Sequence, residues 1–256
     1  MTEIDLLVLS PHLDDAALSC GGLIAQRTRL GQRVRVLTIF AGDEPAEPPS
    51  PLAANLARWW GLAPGSVMRA RRAEDRAAGE VLGADVEQWN ELEAPYRRDP
   101  RDGRLLYTTL AALFRRVDPA EEAFVATLGE RFASLPEPLE VLAPLGVGGH
   151  VDHQLVRQAA TSRWGLALRH YEEFPYAAWK RLAVWRVTRP RRRWRTETAP
   201  LAEEDLTMRC RAIARYRSQL EPMFGGEAPM ERRVRRYVRR VGGERFWIRQ
   251  PEGVKR

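Results

Sequence analysis

Histidine and aspartate are concentrated in two short clusters of this sequence. The chain has four histidines, and three of them lie within residues 11–15 and 149–153. Imidazole nitrogens and carboxylate oxygens are the ligands that catalytic zinc sites combine. His12 and Asp15 are three positions apart, so one loop can direct both side chains at a single point. Together with His153 they would provide three protein ligands and leave one coordination position for water.

The first cluster follows a short apolar run, the second follows such a run and a glycine-rich turn, and each cluster precedes a helical pattern. Residues 6–9 are apolar and are followed by Ser10-Pro11, and residues 139–143 are apolar except for Glu140 and are followed by Pro144. Both patterns are typical of buried strands. In open α/β sheets, ligands bind outside the carboxyl ends of the strands. Because two such loops of one parallel sheet can meet at its edge, the sequence predicts a metal site there. Each cluster alone is also compatible with aspartates that cap a helix beside surface imidazoles.

The order of the predicted elements indicates an α/β protein. A strand at 6–9, a helix at 16–30 and a strand at 34–40 form a βαβ unit, which begins a parallel sheet. Further helices are predicted at 68–83, 105–117, 120–134 and 154–168, and further strands at 86–92, 139–143 and 169–176. We expect a three-layer α/β/α Rossmann-like fold with a mostly parallel sheet and a small C-terminal β/α extension. The core would span 1–180 and the extension 181–256, packed on the same domain.

Two segments have a less regular pattern. In the extension, 183–188 alternates like an edge strand, and 191–197 is expected to pair with it as a hairpin. A helix at 203–219, a helix at 231–240 and a strand at 245–249 follow. Residues 44–66 are rich in proline and predict a long loop with one short helix around Trp59-Trp60. Loops of this length often form substrate walls, whereas packing of both tryptophans against the body is the alternative.

Composition restricts the class of protein. The 256 residues are 44% hydrophobic, enough for one large domain. The chain has no run of about 18 apolar residues, so we expect no membrane span. Its acidic first five residues are not typical of a signal peptide, and Cys20 and Cys210 form no disulfide framework. A cytoplasmic location fits best.

The net charge of +7 comes almost entirely from arginine. Lys180 and Lys255 are the only lysines, and many arginines alternate with acidic residues at helical spacing, as in residues 69–76. We therefore do not expect a nucleic-acid partner. The sequence is compatible with a monomer and with a homo-oligomer.

The two clusters resemble the PIG-L/LmbE family of zinc-dependent N-deacetylases. The residues that carry this resemblance are Pro11-His12-Leu13-Asp14-Asp15 with Gly21-Gly22, Gly149-His150-Val151-Asp152-His153, Arg71-Arg72-Ala73-Glu74-Asp75 ahead of Leu82-Gly83, Glu173-Phe174-Pro175-Tyr176, and Tyr216-Arg217-Ser218-Gln219. The resemblance extends to about residue 225. It implies a hydrolase that uses metal-activated water to remove an N-acetyl or other N-acyl group, with an amino sugar or glycoside as the expected small-molecule substrate.

The resemblance also implies a role for each residue of the clusters. Zinc, or Fe²⁺ or another divalent metal in its place, would be held by His12, Asp15 and His153. Asp14 would be the general base that takes a proton from the metal-bound water. His150 would be a protonated imidazole that stabilises the tetrahedral oxyanion or helps the amine depart. Asp152 would orient either His150 or His153.

The sequence departs from the family pattern at three positions. Leu13 and Ala16 replace the usual Pro and Glu of the first motif, and neither change removes a proposed ligand or the base. Gly148 stands where some relatives have a tyrosine that assists the oxyanion, so another donor, or none, does that job here. Arg71 and Asp43 are candidates for substrate binding.

A second function is compatible with the predicted fold. A basic Rossmann-like protein could bind a nucleotide or nucleic acid without catalysis, and the two clusters would then only cap helices. Such a protein is expected to carry a phosphate-binding G-x-G-x-x-G loop after its first strand. This chain has Pro-His-Leu-Asp-Asp there, and its carboxylates would repel phosphate.

Overall fold

The computed structural model describes residues 4–47 and 49–251. The first three residues of the acidic opening, Pro48 of the proline-rich segment and Lys255 lie outside the described residues. A seven-stranded sheet has the strand order β3-β2-β1-β4-β5-β7-β6. Its strands are β1 (Leu6–Ser10), β2 (Val34–Thr38), β3 (Asp85–Gln88), β4 (Glu140–Pro144), β5 (Arg169–Tyr171), β6 (Trp194–Ala199) and β7 (Glu244–Arg249).

The sheet is parallel from β1 to β5, and β7 lies antiparallel between β5 and β6. β1 and β4 are hydrogen-bonded neighbours, although β2 and β3 separate them in the chain. The sheet thus grows in one direction from β1 to β3 and in the other from β4. This reversal leaves a crevice at the carboxyl ends of β1 and β4, where ligands bind in such folds.

Helices cover both faces of the sheet. They are α1 (Asp15–Arg29), α2 (Pro51–Trp59), α3 (Val67–Leu82), α4 (Glu122–Ala133), α5 (Val151–Trp164), α6 (Tyr176–Trp179), α7 (Arg181–Val187), α8 (Glu203–Ile213), α9 (Arg217–Phe224) and α10 (Glu227–Val241). In β1, Leu6 and Val8 pack toward α1, α3 and α8, whereas Leu7 and Leu9 pack toward α4 and α5. A strand that is apolar on both faces belongs inside a three-layer sandwich. The predicted fold class is therefore confirmed.

Two predicted elements are wrong. Residues 105–117 form loops with a single 3₁₀ turn at Ala112–Phe114, because Leu106 bonds to the backbone of Arg97 and the Tyr107 hydroxyl bonds to Glu121. Residues 183–187 belong to helix α7 and Thr188 follows its end, where the Thr188 hydroxyl donates a hydrogen bond to the Val184 carbonyl. Six residues are too few to distinguish an edge strand from a short amphipathic helix.

The C-terminal segment differs from prediction in its pairing and in one helix. β6 pairs with β7 rather than forming a hairpin with 183–188. The predicted helix at 203–219 is two helices, α8 and α9. Since β7 bonds directly to β5, the last strands extend the same sheet as the N-terminal ones. The boundary at residue 180 stays a prediction.

A buried ion pair enters the middle of α1, where Gly21 and Gly22 leave space for it. A Cβ on Gly21 would lie 2.9 Å from Arg209 Cγ, and one on Gly22 would lie 2.9 Å from Glu244 Oε1. Glu244 accepts hydrogen bonds from the backbone N–H groups of Gly22 and Leu23, both at 2.8 Å, and pairs with Arg209 at 3.0 Å. Arg209 in turn donates to the Leu18 carbonyl. The helix ladder is thus completed by side chains of α8 and β7.

The helices of the described residues do not have the length and apolar character of membrane spans.

Candidate metal and active site

The loop after β1 is closed by a network of short-range hydrogen bonds. The Ser10 hydroxyl donates to the His12 carbonyl at 2.7 Å and accepts from the Ala16 N–H at 3.0 Å. The His12 N–H donates to Asp15 Oδ2 at 2.9 Å. These bonds tie the end of β1 to the first turn of α1. They hold the imidazole of His12 and the carboxylate of Asp15 beside each other.

The loop after β4 brings His153 to the same point. His153 lies in the first turn of α5, and its Nε2 is 3.1 Å from Asp15 Oδ2 and 3.2 Å from His12 Nδ1. His12 Nδ1 is in turn 3.1 Å from Asp15 Oδ2. The two nitrogens and one oxygen form a nearly equilateral triangle. Ligands at about 2.0–2.1 Å from one tetrahedral ion lie about 3.3 Å apart, so this triangle matches one face of such a site.

The outer nitrogens of both histidines are held by buried carboxylates. His12 Nε2 lies 2.8 Å from Asp152 Oδ2, and His153 Nδ1 lies 3.3 Å from Glu173 Oε1. A proton on each outer nitrogen leaves a lone pair on each inner one, and both lone pairs then face the Asp15 oxygen. Metal-bound histidines have this kind of partner. The residues therefore fit a divalent metal ion.

The electrostatics of the triangle favour a positive charge at its centre. Burial lowers the pKa of His12 and His153, but neighbouring carboxylates outweigh it, raising that of His12 well above its usual value and that of His153 to about 9. Burial raises the pKa of Asp15, yet the two histidines hold it well below its usual value. A bound metal would take the place of these protons.

Asp14 lies at the edge of this centre. Its carboxylate is buried, faces the adjoining cavity and forms no hydrogen bond or ion pair with any residue that the structure describes. Burial, with the charge of Asp15, raises its pKa to about 8, whereas Arg71 lowers it. Asp14 begins α1 without capping it through its side chain. The capping alternative therefore does not account for Asp14.

His150 differs from the expected protonated imidazole. It caps α5: its Nδ1 accepts the N–H of Asp152 at 3.2 Å, which places the ring proton on Nε2. Burial, followed by the charge of His12, lowers the pKa of His150 well below its usual value. Asp152 does not compensate, because its Oδ2 is 3.9 Å away and is bonded to His12. The structure thus favours a neutral imidazole that can donate from Nε2.

The Asp152 carboxylate is hydrogen-bonded to His12, and not to His150 or His153, the two histidines that the sequence suggests for it. Its nearest imidazole is His12, while its Oδ1 pairs with Arg97 Nη1 at 2.6 Å and its Oδ2 accepts the N–H of Ala94 at 3.2 Å. Arg97 lowers the pKa of Asp152 far below its usual value against the effect of burial. Asp152 is therefore a buried anion that fixes the orientation of His12.

The two candidates for substrate binding lie in different surroundings. Arg71 is buried in the cavity wall, where it pairs with Glu93 at 2.5 Å and its guanidinium lies 4.6 Å from the ring of Trp60. Asp43 lies away from the cavity lining, with its side chain 75% exposed and paired with Arg72. A role for either residue in substrate binding stays a prediction.

A cavity of about 410 Å³ opens beside the triangle. His12, Asp14, Asp15 and His150 form its polar end, and most of the remaining wall is apolar. Residues of this wall include Leu56, Trp59, Trp60, Leu113, Phe114, Phe174, Tyr176 and Trp179. The proline-rich segment and α2 contribute both tryptophans, so this segment forms part of the wall. A cavity of this size suits a small organic molecule.

Sequence reasoning assigned no site role to three residues that surround the triangle. Glu173 follows β5 and, besides His153, accepts the N–H of Gly146 at 2.6 Å. Its position just after a parallel strand could have indicated a site residue. Arg97 lies in a loop without any such signal. Tyr176 lines the cavity, and burial together with Asp15 and Asp14 raises its pKa, which shows how close these charges are.

The chain is similar in sequence and in structure to several known proteins. The chain is 27% identical to 2'-N-acetylparomamine deacetylase of Niallia circulans over 267 residues, which cover 96% of this chain and 91% of that protein. It is 30% identical to the zinc-inhibited form of teicoplanin deacetylase, with a TM-score of 0.84 and coverage of 97% and 100%. It is also 30% identical to 4-oxalmesaconate hydratase of Pseudomonas putida over 153 residues, 60% of this chain and 52% of that one. The profile of the PIG-L family, GlcNAc-PI de-N-acetylase, matches residues 7–164, and the chain belongs to this family.

Proposed function

We propose that this protein is a metal-dependent N-deacetylase that hydrolyses the acetamide of an amino sugar to acetate and a free amine. The observation that carries the proposal is the 3.1–3.2 Å triangle of His12, Asp15 and His153 next to the unpaired carboxylate of Asp14. The amino-sugar substrate is supported by the relatives that act on N-acetylated compounds, 2'-N-acetylparomamine deacetylase among them. The expected partner is a small molecule.

His12, Asp15 and His153 would hold the metal. When bound, a divalent ion supplies a Lewis acid that polarises a carbonyl and lowers the pKa of water toward 7. Zn²⁺ suits two imidazoles and one carboxylate, and Fe²⁺ suits the same set. We propose Zn²⁺ first on the basis of this ligand set; the zinc-inhibited form of the related teicoplanin deacetylase supports binding of zinc, although zinc is an inhibitor of that protein.

Asp14 would act as the general base. Its pKa of about 8 in the absence of a cation would fall when a positive charge is placed beside it, so the carboxylate would be ionised at neutral pH. It would take one proton from the attacking water as the water oxygen bonds to the carbonyl carbon. It would then give this proton to the nitrogen as the C–N bond breaks. The neutral His150 would donate its Nε2–H to the carbonyl oxygen, which becomes negative during the addition.

A reducing compartment is also part of the proposal. Cys20 and Cys210 are both buried free thiols, as expected where disulfides are not formed.

The test combines metal analysis with turnover on the same preparations. Purified protein is stripped with a chelator, reloaded separately with Zn²⁺ and Fe²⁺, and assayed for acetate and primary amine on a panel of N-acetylated amino sugars and their glycosides. We expect close to one metal per chain and stoichiometric release of both products. Asp14→Asn should keep the metal and lose most of the turnover, whereas His153→Ala should lose the metal.

Asp102→Asn is the matched control for Asp14→Asn, because the same change is made at an exposed carboxylate that does not line the cavity and has no proposed role in the site. Unchanged hydrolysis in Asp14→Asn would remove Asp14 from the role of base. A chain that binds metal but releases no amine from any N-acetylated sugar would contradict the proposed function. The related hydratase makes addition of water to a carbon–carbon double bond the next reaction to assay.

A further inference from the structure

We propose that the hydroxyl of Tyr176 is a catalytic hydrogen-bond donor to the carbonyl oxygen of the amide substrate, placed there by the absence of a side chain at Gly148. The inference rests on the proposed function, since it names one more residue of the same reaction. It concerns a residue of α6, an element that contributes neither a ligand of the triangle nor the base.

The position of the Tyr176 ring depends on Gly148. A Cβ built on Gly148 would lie 2.8 Å from Cδ2, 2.9 Å from Cγ and 3.0 Å from Cε2 of Tyr176. Contacts this short do not occur, so any other residue at 148 would push the ring away. Gly148 does not have the positive backbone φ that favours glycine. The lack of a side chain, rather than an unusual backbone, is therefore what this position provides to the ring.

Neighbouring rings fix Tyr176 at the polar end of the cavity. Its ring centroid is 6.4 Å from that of His153 and 6.1 Å from that of Phe114, both in edge-to-face geometry. Phe114 in turn packs edge-to-face against His150 at 5.2 Å. Tyr176 and His150 thus flank the same part of the cavity wall, next to one corner of the triangle.

The hydroxyl of Tyr176 is free to bind a ligand. It forms no hydrogen bond with any other residue in the described ranges, although Tyr107, Tyr171, Tyr216 and Tyr237 each use their hydroxyl in a protein hydrogen bond. A phenol carries its proton at neutral pH and can donate it in a hydrogen bond. The acceptor that develops charge during amide hydrolysis is the carbonyl oxygen.

The main variant is Tyr176→Phe, which keeps the ring and its packing and removes only the unpaired hydroxyl. Loss of one donor to an oxyanion lowers kcat by about 10²–10³-fold. We therefore expect kcat to fall by about 10²-fold, while KM, the metal content and the melting temperature stay close to those of the wild type. Tyr96→Phe is the control, because the Tyr96 hydroxyl also lacks a hydrogen bond in the described part of the chain but lies outside this cavity.

Gly148→Ala and the double variant test the link between the two residues. The added methyl should displace the Tyr176 ring and lower kcat in the wild-type background. In the Tyr176→Phe background the same methyl has no catalytic hydroxyl left to displace, so kcat should fall no further. Strict additivity of the two losses would show that Gly148 acts independently of Tyr176 and would overturn the proposed link.

A stable tetrahedral analogue gives a readout apart from turnover. The phosphonamidate in which P(=O)(O⁻)CH₃ replaces the acetyl group should bind Tyr176→Phe more weakly by about the factor lost in kcat/KM, because it presents the oxygen that the hydroxyl would contact. Equal affinity for wild type and variant, or a kcat within threefold of the wild type, would overturn the inference while wild-type hydrolysis still supported the proposed function. A wild-type enzyme without amidase activity would overturn both.

Discussion

Asp152→Asn tests how a carboxylate that is not a proposed metal ligand controls the metal site through its bond to His12. Asp152 is fully buried, with His12 and Ala94 on one oxygen and Arg97 on the other. Asparagine has the same shape but one acceptor oxygen and one donor group. If its oxygen stays on His12, its NH₂ faces the guanidinium of Arg97. If its NH₂ faces His12, the imidazole proton must move to Nδ1, the nitrogen that points into the triangle.

Either orientation weakens metal binding. Removing a partner of a metal-bound histidine costs about 10–100-fold in metal affinity, which is about 1.4–2.7 kcal/mol. Arg97 keeps its ion pair with Glu121, so the loss of folding stability should stay below the 3–5 kcal/mol of a fully broken buried pair. The metal Kd of the variant is measured by competition with a chromogenic chelator, and folding is measured by urea denaturation of the metal-free protein.

Asp43→Asn provides the matched control, since it neutralises an exposed carboxylate outside the cavity. The reasoning would be refuted by a folded Asp152→Asn protein whose metal Kd lies within about twofold of the wild type. A loss of the same size in Asp43→Asn would attribute the effect to overall charge instead of to the orientation of His12.

Three further predictions concern stability, which urea denaturation measures for each. Glu244→Gln should lower the free energy of unfolding by about 3–5 kcal/mol, because it leaves the fully buried Arg209 without its charge partner; a loss under 1 kcal/mol would contradict this. Burial lowers the pKa of His170 to about 3, so as the pH falls from about 6.5 toward 3 only the unfolded chain takes up a proton at this residue. The free energy of unfolding should therefore drop over that pH window. His170→Asn should flatten this part of the pH profile. Gly79→Ala should lower the free energy of unfolding, since its Cβ would lie 2.1 Å from a methyl carbon of a neighbouring strand. Gly129→Ala in α4 is the comparison: its Cβ would have open space, and it should raise the free energy of unfolding by about 0.5–1 kcal/mol.

The parts of the fold that could be predicted are those in which a local pattern decides the structure. The run from Leu6 to Leu9 is apolar at every position and is followed by Ser10-Pro11, a pattern typical of a buried strand with a polar loop at its carboxyl end. The same reasoning placed the histidines of residues 149–153 at the end of β4. Because β1 and β4 are adjacent, the predicted convergence of the two loops follows.

The remaining site residues depend on contacts between distant segments. Arg97 reaches Asp152 from an irregular loop, and the partner of Asp152 is His12, which no spacing in the sequence indicates. The proximity of Gly148 and Tyr176 depends on how the loop after β4 meets α6. The protonated state expected for His150 considered only the charge of the nearby Asp152, whereas burial of the ring in the structure lowers the pKa of this imidazole.

The junction of α1 with Glu244 makes the metal loop depend on the last strand. The N–H of Gly22 bonds to a carboxylate 222 positions further along the chain, and α1 begins at the loop that holds His12 and Asp15. On the ribosome, this helix therefore emerges long before the residues that complete its hydrogen bonds. We expect a nascent chain that stops before β7 to capture metal poorly, so that loading of the ion follows release of the finished polypeptide.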